Sequence, residues 1–293
     1  FEQAQRQRFL TRAAKLLTEL EPLLPVREAL PEPTGAFPQF GAVCNNPGFM
    51  EMVGATLATR GPAEAIFDER QSDGFKHYVL LDPDDGHPIL EVETLRRMVA
   101  HPDYQGCIIF REPDLSGTSV DSAVAMLNMY LDRLREANPE RKGQTVVRTG
   151  SQIHAPFKSN GWFPPVWERI KHRRSEIDAV GLNFYISAET KDFDVALDGT
   201  RERRFALRLK EWIDSNVGLP LLLGEYGLSN DAPDMPLMQF YPFVGAQAWR
   251  GVAQKIFWYI LEERGDGYRA LTDKGQLTYL GAGYRALQMS LQT

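Results

Sequence analysis

Six short, almost wholly apolar runs alternate along this chain with longer stretches of helical periodicity, and few folds accept that pattern. The runs are Tyr78–Asp82, Gly106–Glu112, Thr145–Arg148, Ala179–Tyr185, Leu219–Glu225 and Lys255–Ile260. A strand that is apolar on both sides must be covered on both faces, which is the condition of a parallel sheet in a βα repeat. Between the runs, apolar spacing predicts helices over Leu90–Ala100, Ser119–Ala137, Pro165–Ser175, Arg201–Asn216 and Met235–Trp249, with Leu277–Leu291 closing the chain. Gly41–Cys44 and a weaker run at Ala65–Phe67 bring the strand count to eight. The expected fold is an α/β (β/α)8 TIM barrel over residues 39–293, and a doubly wound sheet is the alternative.

Ahead of the barrel, Phe9, Leu10, Ala13, Leu16, Leu17 and Leu20 recur at helical spacing and predict an amphipathic helix over Phe9–Leu24. Pro25, Pro31, Pro33 and Pro38 follow, so residues 1–38 read as a helix and a proline-rich linker. The chain opens on Phe1 rather than Met, as a processed or trimmed fragment would. Its 293 residues suit one barrel of about 250 residues with an extension.

Composition removes several function classes. A hydrophobic share of 43% with 25% charged residues can build a large core, which excludes disorder. A net charge of -6 without a basic run leaves no phosphate-backbone footprint, so nucleic acid is not an expected partner. No apolar stretch approaches the roughly 20 residues that span a bilayer. Cys44 and Cys107 lack C-x-x-C spacing, and on non-neighbouring strands they would not form a disulfide. His77, His87, His101, His154 and His172 form no H-x-H or H-E-x-x-H pattern, and neither G-x-G-x-x-G nor a P-loop occurs. No metal or cofactor is expected.

In a barrel, chemistry gathers at the C-terminal ends of the strands, so polar residues that end apolar runs are the candidates. Glu112, Tyr185 and Glu225 stand there. One such Glu can simply pair with an arginine or cap a helix. Two of them, on the fourth and seventh runs, face each other across the mouth. Retaining glycosidases hold such a pair about 5–5.5 Å apart, one carboxylate as nucleophile and the other as acid and then base. Burial and the nearby negative charge would raise the pKa of the acid.

The run endings Arg-Glu-Pro at 111–113, Asn-Phe-Tyr at 183–185, Gly-Glu-Tyr-Gly at 224–227 and Phe-Trp-Tyr at 257–259 resemble those of the clan A glycoside hydrolases, the 4/7 superfamily, over roughly residues 40–291. The resemblance implies a retaining hydrolase of poly- or oligosaccharides, with Glu112 as acid/base and Glu225 as nucleophile. It further implies that Tyr185 hydrogen-bonds the nucleophile, that Trp258 floors the sugar subsite and that Asn183 belongs to the substrate-binding set. The family places Asn before its acid/base where this chain has Arg111. A guanidinium there suits an acidic sugar substituent, or pairs with an acid such as Asp82. Arg111 also supports a competing reading, a silent barrel that binds glycan or a protein partner.

Weaker candidates lie after the fifth run. Trp162 and Phe163, beside Lys158, Ser159 and Asn160, have the composition of a carbohydrate platform or of cover for the barrel rim. His154 and Arg148 are placed to line the cleft, and Asp82–Asp85 reads as a solvated turn and a candidate cleft lining.

Overall fold

The computed structural model describes residues 30, 32–43, 47–60, 74–83, 89–186, 199–228, 236–259 and 270–291. The predicted helix Phe9–Leu24, the run Ala65–Phe67, Cys44 and the end of the Asp82–Asp85 turn lie outside these residues.

Eight parallel strands close into a barrel in sequence order: β1 (Gln39–Val43), β2 (Leu57–Arg60), β3 (Lys76–Leu81), β4 (Tyr104–Ile109), β5 (Gln144–Ser151), β6 (Ala179–Ile186), β7 (Leu221–Leu228) and β8 (Ala253–Trp258). Closure runs from Gln39 opposite Lys255 to Ala42 opposite Trp258. All six clear apolar runs and Gly41–Ala42–Val43 supply strands. The second strand of the barrel is Leu57–Arg60, ahead of the expected run, where four residues pair with Lys76–Val79 of β3.

The helices are α1 (Pro47–Val53), α2 (Val92–Ala100), α3 (Val120–Ala137), α4 (Phe163–Ile170), α5 (Thr200–Asn216), α6 (Tyr241–Ala248) and α7 (Tyr279–Leu291). Ser119 starts α3, its hydroxyl accepting from the Ser122 amide at 3.1 Å. The helix then buries the stripe Ala123, Leu127, Tyr130, Leu131 and Leu134. Two predicted helices are divided. Pro165–Ser175 becomes α4 followed by a 3-10 turn at Lys171–Glu176. Met235–Trp249 becomes a 3-10 turn at Pro236–Phe240 and then α6, which Pro242 opens in a first turn that needs no amide donor. A hairpin of β9 (Thr272–Asp273) and β10 (Gln276–Leu277) precedes α7. Among the described residues, no helix is long and apolar enough to cross a membrane.

Strand alternation divides the core into two layers. One layer is a cluster of Leu57, Tyr78, Ile108, Val146, Ala179, Leu222 and Phe257, one from each of β2 to β8, which fills the barrel interior. The other lies between strands and helices, where Ile109, Val147, Val180, Leu223, Ile256 and Trp258 join residues of the helices such as Leu127, Ile170, Leu209 and Tyr284. On β5 and β8 the residues two positions beyond the interior cluster, Arg148 and Tyr259, therefore point toward the mouth.

Candidate active site

Glu225 faces the barrel because β7 carries an extra residue. Leu182 stands opposite Leu223 but Asn183 stands opposite Glu225, so Gly224 has no partner on β6. The same offset recurs against β8, where Leu223 pairs with Ile256 and Tyr226 with Trp258. A bulge of one residue reverses which face the rest of a strand presents. Leu222 points in and Leu223 out; after the bulge Glu225 points in again, and Tyr226 turns out to stack on Tyr241 of α6 at 5.9 Å.

Glu112 arrives differently. β4 stops at Ile109, and Phe110 takes the left-handed conformation with φ 74. Such a backbone costs a non-glycine residue about 1–3 kcal/mol unless its surroundings hold it. Here the Phe110 amide donates to Leu81 O at 2.7 Å, and the ring meets Trp162 edge-on at 6.0 Å. Beyond this reversal the chain leaves the strand, and Glu112 reaches the residues of β6.

Each carboxylate has its own partners. Asn183 Nδ2 donates to Glu112 Oε1 at 3.1 Å. The Tyr185 hydroxyl donates to Glu225 Oε2, and Arg148 Nη1 donates to Glu225 Oε1 at 3.2 Å. That Arg148 nitrogen also donates to Arg111 O at 2.7 Å. Burial is the main reason the Glu112 pKa stands above the usual carboxylate value, and the charge of Glu225 adds to it, with a smaller push from Asp114. The Asn183 hydrogen bond and the Arg148 charge pull the other way.

Glu112, Asn183, Tyr185 and Glu225 therefore meet in one network, and Arg111 is attached to it through its carbonyl. Asn183 is fully buried, so it acts on Glu112 and presents no surface to a ligand. Trp258 requires a correction. Phe257 belongs to the barrel interior, and alternation sends Trp258 into the helical layer among Tyr226, Tyr241 and Tyr284, with centroids at 5.1, 5.8 and 5.9 Å. With 0% exposure it cannot floor a subsite. The next residue, half-buried Tyr259, returns to the mouth, edge-on to Tyr185 at 5.9 Å. The indole N–H of Trp162 is committed to Thr118 O at 2.9 Å and its ring to Phe110, which is the geometry of rim cover. Asp82 is buried rather than solvated.

Beside Glu112, Asp114 accepts from the Ser151 hydroxyl at 2.6 Å, and His154 Nδ1 lies 3.1 Å from Asp114 Oδ2 with the ring 30% exposed. His154 thus sits at the rim on the Glu112 side. Gln152 was not singled out from sequence. Its side-chain amide exchanges two hydrogen bonds with the backbone of Tyr185, which pins the strand that carries the phenol. Cys107 is a buried free thiol. Among the described residues there is no group of three or more His, Cys, Asp or Glu placed to hold a metal ion.

The sequence matches no family model and no curated protein. Solved structures do match. A family 128 (subgroup I) endo-β-1,3-glucanase variant from Amycolatopsis mediterranei in complex with laminaripentaose is 15% identical, covers 84% of this chain and 98% of its own, and has a TM-score of 0.64. A glucosidase from Croceicoccus marinus is 10% identical over 89% of this chain and 69% of its own, with a TM-score of 0.65. A curdlan-specific family 128 (subgroup III) exo-β-1,3-glucanase from Blastomyces gilchristii, in complex with glucose, is 13% identical over 84% and 97%, with a TM-score of 0.59. The closed barrel of this chain is thus the (β/α)8 fold that these glycoside hydrolases share.

Proposed function

We propose that the protein is a retaining glycoside hydrolase, with Glu225 as nucleophile and Glu112 as acid/base, acting on a β-glucan. The observation that carries this reading is the contrast between two carboxylates in one network. Glu225 accepts from a phenol and a guanidinium, whereas Glu112 accepts from the Asn183 amide and has a pKa raised by burial and by Glu225. A carboxylic acid that keeps its proton beside a second carboxylate held by hydrogen-bond donors is the arrangement that acid/base and nucleophile roles need.

In the first step Glu112 gives its proton to the leaving oxygen while Glu225 attacks the anomeric carbon. The glycosidic bond breaks and a glycosyl ester forms. Esterification removes the negative charge that helps raise the Glu112 pKa, so Glu112 is then a better match for taking a proton from water in the second step. Tyr185 steadies the nucleophile, and Tyr259 offers an aromatic face beside it. The β-1,3-glucans named for the neighbours are the first substrates to test.

Arg111 favours the second reading, a barrel that binds glycan without turnover. Incubation with laminarin, curdlan and other polysaccharides, reading new reducing ends, separates the two. Turnover lost in Glu225→Gln supports the hydrolase; binding with no turnover of any substrate supports the silent barrel.

A further inference from the structure

Arg148 is a positive charge with no exposed surface, two residues beyond Val146 of the apolar cluster in the barrel interior. Space for it comes from glycines on the two strands that follow. A Cβ on Gly181 would lie 3.3 Å from its Cγ, and one on Gly224 would lie 2.4–2.8 Å from its Nε, Nη2 and Cζ. Nη1 serves two acceptors, Arg111 O at 2.7 Å and Glu225 Oε1 at 3.2 Å, while Nε and Nη2 have no hydrogen-bond partner. A buried guanidinium with two unmet donors stabilises a fold poorly compared with an apolar residue. Its position is better explained by what it joins. Arg111 directly precedes Glu112 on the loop leaving β4, and Glu225 lies across the mouth on β7.

We propose that Arg148 is a positioning residue, which sets the separation of Glu112 and Glu225 by tying the ends of β4 and β7 to one nitrogen. Its effect on turnover rests on the hydrolase reading above; the tie itself does not. The same charge acts on protonation. Burial, Glu225 and Asp114 raise the Glu112 pKa, and Asn183 and Arg148 oppose them, so removing the guanidinium raises it further.

The test uses the full chain carrying carboxyl-13C glutamate, with the Glu112 signal assigned through Glu112→Gln. In Arg148→Met the titration midpoint of Glu112 moves up, and kcat falls about 10²–10³-fold with KM changed only a few-fold. Arg148→Lys keeps a cation but one ammonium does not span both acceptors, so the midpoint stays near that of the unaltered protein while kcat still falls. An unmoved midpoint in a folded Arg148→Met protein overturns the proposal. So does full kcat in Arg148→Lys, which decides the matter if Arg148→Met does not fold. If Glu225→Gln leaves turnover intact, the hydrolase reading fails and the midpoint shift alone still judges Arg148.

Discussion

Gly224→Ala adds one methyl group against the Arg148 guanidinium. The backbone of Gly224 is one that alanine accepts, so the cost comes from contact. The new Cβ would meet Arg148 Nε at 2.4 Å, and ordinary contact begins at 3.4 Å, so the guanidinium must retreat by about 1 Å. Arg148 is enclosed on all sides, and its 3.2 Å bond to Glu225 does not survive that displacement. Overpacking of this kind costs about 1–3 kcal/mol. At roughly 2–4 °C per kcal/mol for a chain of this size, Tm falls by a few degrees. Turnover should drop about 10²–10³-fold as the tie to Glu225 is lost. A double-mutant cycle isolates the contact: urea unfolding should show the Gly224→Ala loss shrinking to about 0.5 kcal/mol or less in an Arg148→Ala background. An equal loss in both backgrounds would refute the reasoning.

Other consequences follow from the same geometry. Trp258→Phe should lower stability by roughly 1–3 kcal/mol in thermal melts while KM stays unchanged, because the ring is core; a raised KM at unchanged stability would return Trp258 to the subsite. Glu202 accepts from Trp249 Nε1 at 2.5 Å, and burial lifts its pKa to about 7, above the ordinary 4.5. Its contribution is full below pH 4.5 and lost as pH rises through about 7, so urea stability should fall by up to about 3 kcal/mol between pH 5 and 8, and Glu202→Gln should flatten that slope. Arg111→Asn should cut kcat/KM roughly tenfold to a hundredfold more for substrates with an acidic substituent than for neutral ones, and equal losses would show that Arg111 only supports Glu112.

The strands were legible where physics leaves a plain mark. Ala179–Tyr185 and Leu219–Glu225 are apolar on both faces because both faces are covered, and they became β6 and β7. Leu57–Arg60 carries too little of that signal, having only four residues with Thr59 and Arg60 among them. The position of Glu112 could be read from the end of its run, but the left-handed Phe110 that delivers it could not, since nothing in a phenylalanine announces φ 74. The bulge at Gly224 is equally silent until register is known. Motif order alone puts Trp258 at the subsite, because it takes no account of which face a strand residue presents. Alternation from Phe257 would have passed over it and stopped at Tyr259. Arg148 did leave a trace, as a charge ending the apolar run Thr145–Arg148, though its partners lie 37 and 77 residues away.

The central claim is that Glu225 becomes covalently bonded to the sugar, and Glu112→Ala allows that bond to be caught. With an aryl β-glucoside, whose leaving group needs no proton, the first step should proceed and the second should stall. Peptide mapping by mass spectrometry should then find one glycosyl group on Glu225, and added azide should release a glycosyl azide with the configuration of the substrate. An adduct on another residue, or an azide product of opposite configuration, would contradict the account.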